Sequence, residues 1–434
     1  MPAPLSLSAA GSRIDAWVAA HRQEIIATAS RLIAIPSARV PPAGNEAAAQ
    51  REIAALWGAL GADMDIFDPA DVPPLAAHPL YWPAWDAAPR PLRGRPVVVG
   101  RWPGRAAAGG RSLLLSAHVD TTPPGMPGDW TVTEPYTPKL VADRLYGRGA
   151  YDTKGMLAVY TEAVRCVREL GLQGRGDLTL ESVPDEEYGG SHGCLAARLR
   201  GYNADLAVNG EPTHMRPCIS HNGGRLWKVT AVAEGGGLAF AGEARENPIV
   251  TLAEVALAVD RWRARRERDA RVADPGRAVP AITLAQMCSG GQVFADLLGV
   301  PERGHLYLAV QEPPGVTAEA HAAGLRAALA GVPQTGARWE LRPCSRYLPG
   351  SRMAVAHPVW PLLAAIYQDA QLPYEVGHAP FACDTYVFNL HSGTPALTLG
   401  PGGGNAHAPD EFVSAQDLSD LVRVLARLVA AWTA

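Results

Sequence analysis

The sequence predicts an α/β fold, a mostly parallel sheet with helices on both faces, that carries an inserted α+β domain. Three observations predict it. Short, almost uninterrupted apolar runs occur at 96–101, 112–117, 177–183, 205–209 and 395–399; helical patterns separate several of them; and the pattern changes between about 216 and 345. Strands that are apolar on both sides belong to a sheet covered on both faces, as parallel crossover connections require. The 434 residues also exceed the roughly 250–300 at which a single core stops growing, so two domains are expected.

The elements follow in chain order. Ser12 is placed as the N-cap of a helix whose apolar face is Ile14, Trp17, Val18, Ile25, Ala29, Leu32 and Ile33, ended by Pro36. A second helix is expected over 45–60, with Gly61 as an inexpensive left-handed terminus. The Pro- and Trp-rich stretch 72–95 has no periodicity and is read as a long surface loop of the kind that borders a site. Further helices are expected over 155–170 and 414–432, the latter with Leu418, Leu421, Val422, Leu425, Leu428 and Val429 on one face. Within the insertion, helices at 248–268 and 317–330 interleave with strands near 225–233, 279–287, 305–310 and 338–342. The expected domains are therefore 1–215 and 346–434, forming one catalytic unit, and 216–345, inserted into it.

A formal charge of only −4 gives no basic field for nucleic acid or anionic lipid, so neither is expected as a partner. No apolar run approaches the roughly 20 residues of a membrane helix, and the first 22 residues lack the basic start and apolar stretch of a signal peptide. The six cysteines show no C-x-x-C spacing and are read as buried thiols in a reducing compartment, which implies a cytoplasmic protein.

The chemistry gathers at strand ends. The run RSLLLSA delivers His118 and Asp120, whose spacing lets a carboxylate fix the tautomer of a metal-bound imidazole. LYGRGAYDTKGM sets Asp152 before a helix, where a capping role would also explain it. ESVPDEEYGG presents Asp185, Glu186 and Glu187 after an apolar strand, AVNGEPT presents Glu211 and LGPGGGNAHAPDEF presents His407. Each is unremarkable alone. Together they are nitrogen and oxygen donors of the kind zinc, manganese or cobalt accept, placed where open α/β sheets bind ligands.

In these motifs the chain resembles the co-catalytic metallohydrolases that include aminoacylase, carboxypeptidase G, acetylornithine deacetylase and succinyl-diaminopimelate desuccinylase. The order H-x-D, G-R-G-x-x-D, D-E-E-x-G-G, E-P-T, H-A-P-D-E carries the resemblance over nearly the whole chain. It implies two divalent metal ions, zinc first and manganese or cobalt as alternatives. Asp152 would bridge them, with His118 and Glu211 on one and Glu187 and His407 on the other, and the peptide bond after Asp152 would be cis. Glu186 would be the general base, Asp120 would orient His118, and the insertion would act as a lid through which the protein dimerises. The activity implied is hydrolysis of a C–N bond in a small non-protein substrate, of acetylornithine-deacetylase type.

The resemblance breaks in the lid. Where relatives carry a histidine that stabilises the oxyanion, GGLAFAGEARENPI places Phe240; where they carry an arginine for the substrate carboxylate, YLAVQEPPG places Gln311. The relatives' lid asparagine has no match near GGQVFADLL. With Gly402 and Gly403, Phe240 and Gln311 are the candidate substrate contacts. The expected consequence is an altered, uncharged or aromatic substrate; a shifted alignment with His221 supplying the donor, or loss of activity, are the alternatives. The competing functions are hydrolytic deamination of an aromatic amine and, in a different class, a non-catalytic binding protein that keeps the fold.

Overall fold

The computed structural model describes residues 7–40, 43–82, 84–85, 88–89, 91–104, 109–126, 128–187, 189–235, 237, 246–273, 279–289, 299–334 and 337–434. Among these, nine strands form the main sheet. Its four inner strands, Leu178–Val183, Leu113–His118, Leu206–Gly210 and Ala396–Leu399, lie in that order and run parallel. Antiparallel strands finish each side: Val97–Trp102 and Asp63–Phe67 at one, Cys218–His221 and Ser351–Arg352 at the other.

Every residue of the four inner strands is buried, because both faces are covered. The period-2 pleat divides their side chains between two cores. Leu113, Leu115, Leu180 and Val208 pack with the helices Gly155–Glu169 and Ala415–Trp432. Leu114, Val183, Ala207 and Ala396 pack on the other side with His192–Leu199 and Thr385–His391. The uninterrupted apolar runs therefore read correctly as strands buried on both faces.

Two expectations are corrected. The first helical pattern is two helices, Leu7–Ala20 and Arg22–Ile33, and Ser12 lies inside the first of them instead of capping it. The chain leaves helical geometry at His21 (φ −110°, ψ 17°), where the ring Nδ1 takes the Trp17 carbonyl at 2.8 Å and the ring stacks on Trp17. The stretch 72–95 is not simply a surface loop: Val72, Leu75 and Leu92 join the second core, and Arg95 is buried.

Within the insertion, the described strands Ala281–Ser289, Arg303–Glu312, Gly223–Val232 and Arg338–Pro343 form an antiparallel sheet in that order. One face packs Trp227, Val229, Leu306, Leu308 and Val310 against Leu252, Val255 and Leu325 of the helices Pro248–Ala273 and Ala318–Leu329. Arg266, in the Arg-rich end of the first helix, is not merely a solvated charge, since its Nη1 lies 2.6 Å from the buried Glu312.

Arg95 links the second core to the site. Its Nε donates to both Glu46 oxygens at 3.0 and 3.1 Å, and its Nη1 donates to Asp185 Oδ1 at 3.0 Å, all three side chains being buried. Removing one member of such a buried network leaves uncompensated charge, which typically costs about 3–5 kcal/mol. We expect Arg95→Met to lower the unfolding free energy, measured by urea denaturation, by an amount of that order and the urea midpoint with it. A midpoint within experimental error of wild type would show that the ion pair is not needed for stability.

Candidate metal centre

The parallel register that pairs Val183 with His118 brings two motifs together, since the H-x-D and D-E-E segments leave adjacent strands at the same end. Glu211 follows the next strand directly, and His407 lies in the loop beyond Leu399. Asp152 sits in a turn just before the helix Gly155–Glu169, with non-helical backbone (φ −126°, ψ 91°), and the Asp152–Thr153 peptide bond is cis.

Asp152 lies between the two imidazoles. His118 Nε2 is 3.0 Å from its Oδ1, and His407 Nε2 is 3.1 Å from its Oδ2. His407 Nε2 is also 2.8 Å from Glu187 Oε2, while His118 Nε2 is 3.9 Å from Glu211 Oε2. Ligand atoms of His118, Asp152 and Glu187 fall within 4.8 Å of one another. The two sides of Asp152 thus carry one histidine and one glutamate each.

Charge concentrates here without a fixed counter-charge. Burial, and then the negative neighbour Glu211, push the Glu186 carboxyl well above the usual range. Burial likewise raises Glu187 and Glu211. The nearby Glu187 lifts His407 well above the histidine range; for His118, burial pulls down but Asp152 and Glu211 outweigh it. The arginines behind the site are committed elsewhere, Arg95 to Glu46 and Asp185 and Arg148 to Glu411. Asp152, Glu187 and Glu211 with the two imidazoles offer the nitrogen and oxygen donors that divalent cations take.

The support around these groups differs from the expectation at Asp120. His118 Nδ1 donates to the backbone carbonyl of Asp120 at 2.9 Å, and the Asp120 carboxylate is farther off at 3.8 Å. That carboxylate instead accepts the backbone N–H groups of Glu186 (3.2 Å) and Glu187 (3.1 Å), so it orders the acidic loop. Glu411 was missed by the sequence reading. Buried beneath the Asp152 turn, it accepts the N–H groups of Gly149, Tyr151 and Asp152 at 3.0–3.1 Å and Arg148 Nη1 at 2.7 Å. The available signal was its place as the last acid of H-A-P-D-E.

A cavity of about 590 Å³ opens over the cluster, bounded by Asp152, Glu186, Glu187, Glu211 and His407 on one side and by Gly224, Leu226, Ala309 and Gln311 of the inserted sheet on another. Phe240 and the segment GGQVFADLL lie outside the described residues. Gly402 and Gly403 do not line the cavity: Gly402 N–H donates to Asp417 at 2.6 Å, and a Cβ on Gly403 would stand 2.7 Å from the Tyr151 ring. His221 does not line it either. Its Nδ1 and Nε2 engage the Asn222 carbonyl and Ser351 Oγ at 2.8 Å each, and burial lowers its pKa to about 4.

The sequence profile described as Peptidase family M20/M25/M40 matches residues 114–431. An N-formyl-4-amino-5-aminomethyl-2-methylpyrimidine deformylase of Bacillus subtilis (strain 168) is 33% identical over 195 residues, 45% of this chain and 40% of that protein. The chain thus spans about two fifths of the deformylase's length. Acetylornithine deacetylase of Vibrio cholerae serotype O1 is 30% identical over 331 residues, 74% of this chain and 82% of that protein. In fold, the chain is similar to human carnosine dipeptidase 1 (TM-score 0.74, 14% identity, 98% and 99% of the two chains). It is also similar to the di-peptidase Dug1p of Saccharomyces cerevisiae (TM-score 0.76, 13% identity, 98% of each).

Glu411→Gln tests the missed residue. A carboxamide must turn an N–H toward some of the four donors that the carboxylate accepts, which loosens the Asp152 turn. Loss of such outer support typically weakens metal affinity by about 10- to 100-fold. Chelator competition should show that loss with little change in the circular dichroism spectrum. Unchanged affinity would remove Glu411 from metal-site support.

Proposed function

The chain belongs to Peptidase family M20/M25/M40, and from that premise we propose that it is a metal-dependent hydrolase of C–N bonds that removes a small acyl group from an N-acylated amine. The observation that carries this reading is the pairing of His118 and His407 across Asp152, with Glu187 and Glu211 alongside and Glu186 facing the same cavity. In this proposal two divalent ions would be held by His118 and Glu211 at one position and by Glu187 and His407 at the other, with Asp152 shared between them. The donor set does not distinguish zinc from manganese or cobalt.

Bound divalent cations supply Lewis acidity, making water more acidic and polarising an amide carbonyl. The chain's own part is proton transfer and placement. Glu186 takes a proton from the attacking water and delivers it to the departing nitrogen, a task suited to a carboxyl that its surroundings keep easily protonated. Asp120 fixes the loop from which Glu186 projects. The deformylase, by its name, acts on an N-formylated aminomethylpyrimidine, which supports an amine carrying an uncharged heteroaromatic ring as the leaving part here.

A homodimer through the insertion is also part of the proposal. It is supported by exposed apolar side chains on the outer strand and first helix of that unit, Leu284, Met287, Val250 and Leu257. Among the described residues, no helix is long and apolar enough to cross a membrane. Five of the six cysteines are buried thiols, which supports a reducing, cytoplasmic setting; Cys288, against expectation, is exposed.

We expect chelation to abolish activity, and Glu186→Gln to keep the metals while lowering kcat by about 100-fold or more, since it removes the base and leaves the ligands. Near-wild-type turnover in that variant would take Glu186 out of the mechanism. Asp152→Ala should lose occupancy at both positions by elemental analysis of dialysed protein; full dinuclear loading would refute the bridge.

A further inference from the structure

Gln311 stands on the inserted strand Arg303–Glu312 between Gly224 of one neighbouring strand and Ala281 of the other. The pleat puts Gly224, Leu226, Ala309 and Gln311 on one face, toward the cavity, while Val310 and Leu308 enter the core behind. A Cβ on Gly224 would stand 3.0 Å from Gln311 Cγ and 2.7 Å from the Val310 carbonyl oxygen. Glycine there leaves room for the Gln311 side chain. Among the described residues, the Gln311 carboxamide has no hydrogen-bond partner.

Other polar groups line the cavity with it. His378, across the cavity, engages Ser220 Oγ and Asn222 Oδ1 at 2.9 Å each, and burial lowers its pKa to about 4. Arg216 lies 3.5 Å from Glu375. Arg225, next to Gly224 on the strand, also lines the cavity, with its guanidinium 5.3 Å from the Trp227 ring centroid. A ligand ring held against this face of the pleat meets the planar Gln311 carboxamide, which offers a donor and an acceptor side by side. Its complement is an uncharged N=C–NH2 edge, which a glutamine amide matches with two parallel hydrogen bonds.

We propose that Gln311 is a specificity-determining residue that pairs with the N=C–NH2 edge of an aminopyrimidine-type ring in the amine part of the substrate. The inference rests on the deacylase reading for its reaction but on Gln311 for its selectivity. A bidentate pair of this kind discriminates by about 5- to 150-fold against a partner lacking it.

The test uses the full-length, metal-loaded protein and two amides, N-formyl-4-amino-5-(aminomethyl)pyrimidine and the same compound with hydrogen in place of the 4-amino group. Wild type should favour the first in kcat/KM by about tenfold or more, with the difference mainly in KM. Gln311→Leu should bring the ratio close to one. Gln311→Glu, which keeps the size but cannot donate to the ring nitrogen, should also lower it. A wild-type ratio near one, or a ratio unchanged in both variants, overturns the proposal. If neither amide is hydrolysed the deacylase reading fails, and calorimetric binding of the free 4-amino-5-(aminomethyl)pyrimidine decides the role of Gln311 by itself. Binding weakened by about tenfold in Gln311→Leu supports the pairing; equal binding in both proteins, or none in wild type, overturns it.

Discussion

Like-charged carboxylates brought together at the end of a parallel sheet repel one another, and the site depends on holding them there. The chain's own part in this is a set of fixed donors. Backbone N–H groups of Glu186 and Glu187 close on Asp120, those of Gly149, Tyr151 and Asp152 close on Glu411, and Arg95 ties Asp185 to Glu46. In the first two cases acids that face the cavity are positioned by an acid that does not. Charge-assisted hydrogen bonds of this type are stronger and more directional than neutral ones, so the loops they anchor keep their geometry.

Much of this was legible in the sequence. Strands buried on both faces announce themselves as unbroken apolar runs, so the sheet could be located from pattern alone, whereas the roles expected of the acidic and histidine motifs came from the family resemblance. The supporting groups were harder to find. Arg95 sits in an aperiodic, proline-rich stretch, and only the fold reveals that it reaches Glu46 and Asp185. The contact made by Asp120 differs from the one expected, because the H-x-D spacing does not say whether the side chain or the carbonyl meets the imidazole.

The insertion shows another limit. Its strands and helices were predicted closely, since antiparallel strands with one buried face alternate visibly. Which residues face the cavity depends on register, and a single step moves a side chain to the opposite face. Gln311 illustrates this: its register opposite Gly224 puts it on the cavity-facing side of the pleat.

The Asp152 turn has a consequence for how the molecule is assembled. Its hydrogen-bond acceptor, Glu411, and its second imidazole, His407, both come from the last tenth of the chain, beyond the entire insertion. During synthesis the strands that carry His118, Glu187 and Glu211 emerge far ahead of them. Until the final segment folds back, the turn lacks the acceptor that holds three of its amides, and the acidic cluster lacks one of its two histidines. The centre is therefore closed late, by the same short segment that completes both its coordination and its scaffold.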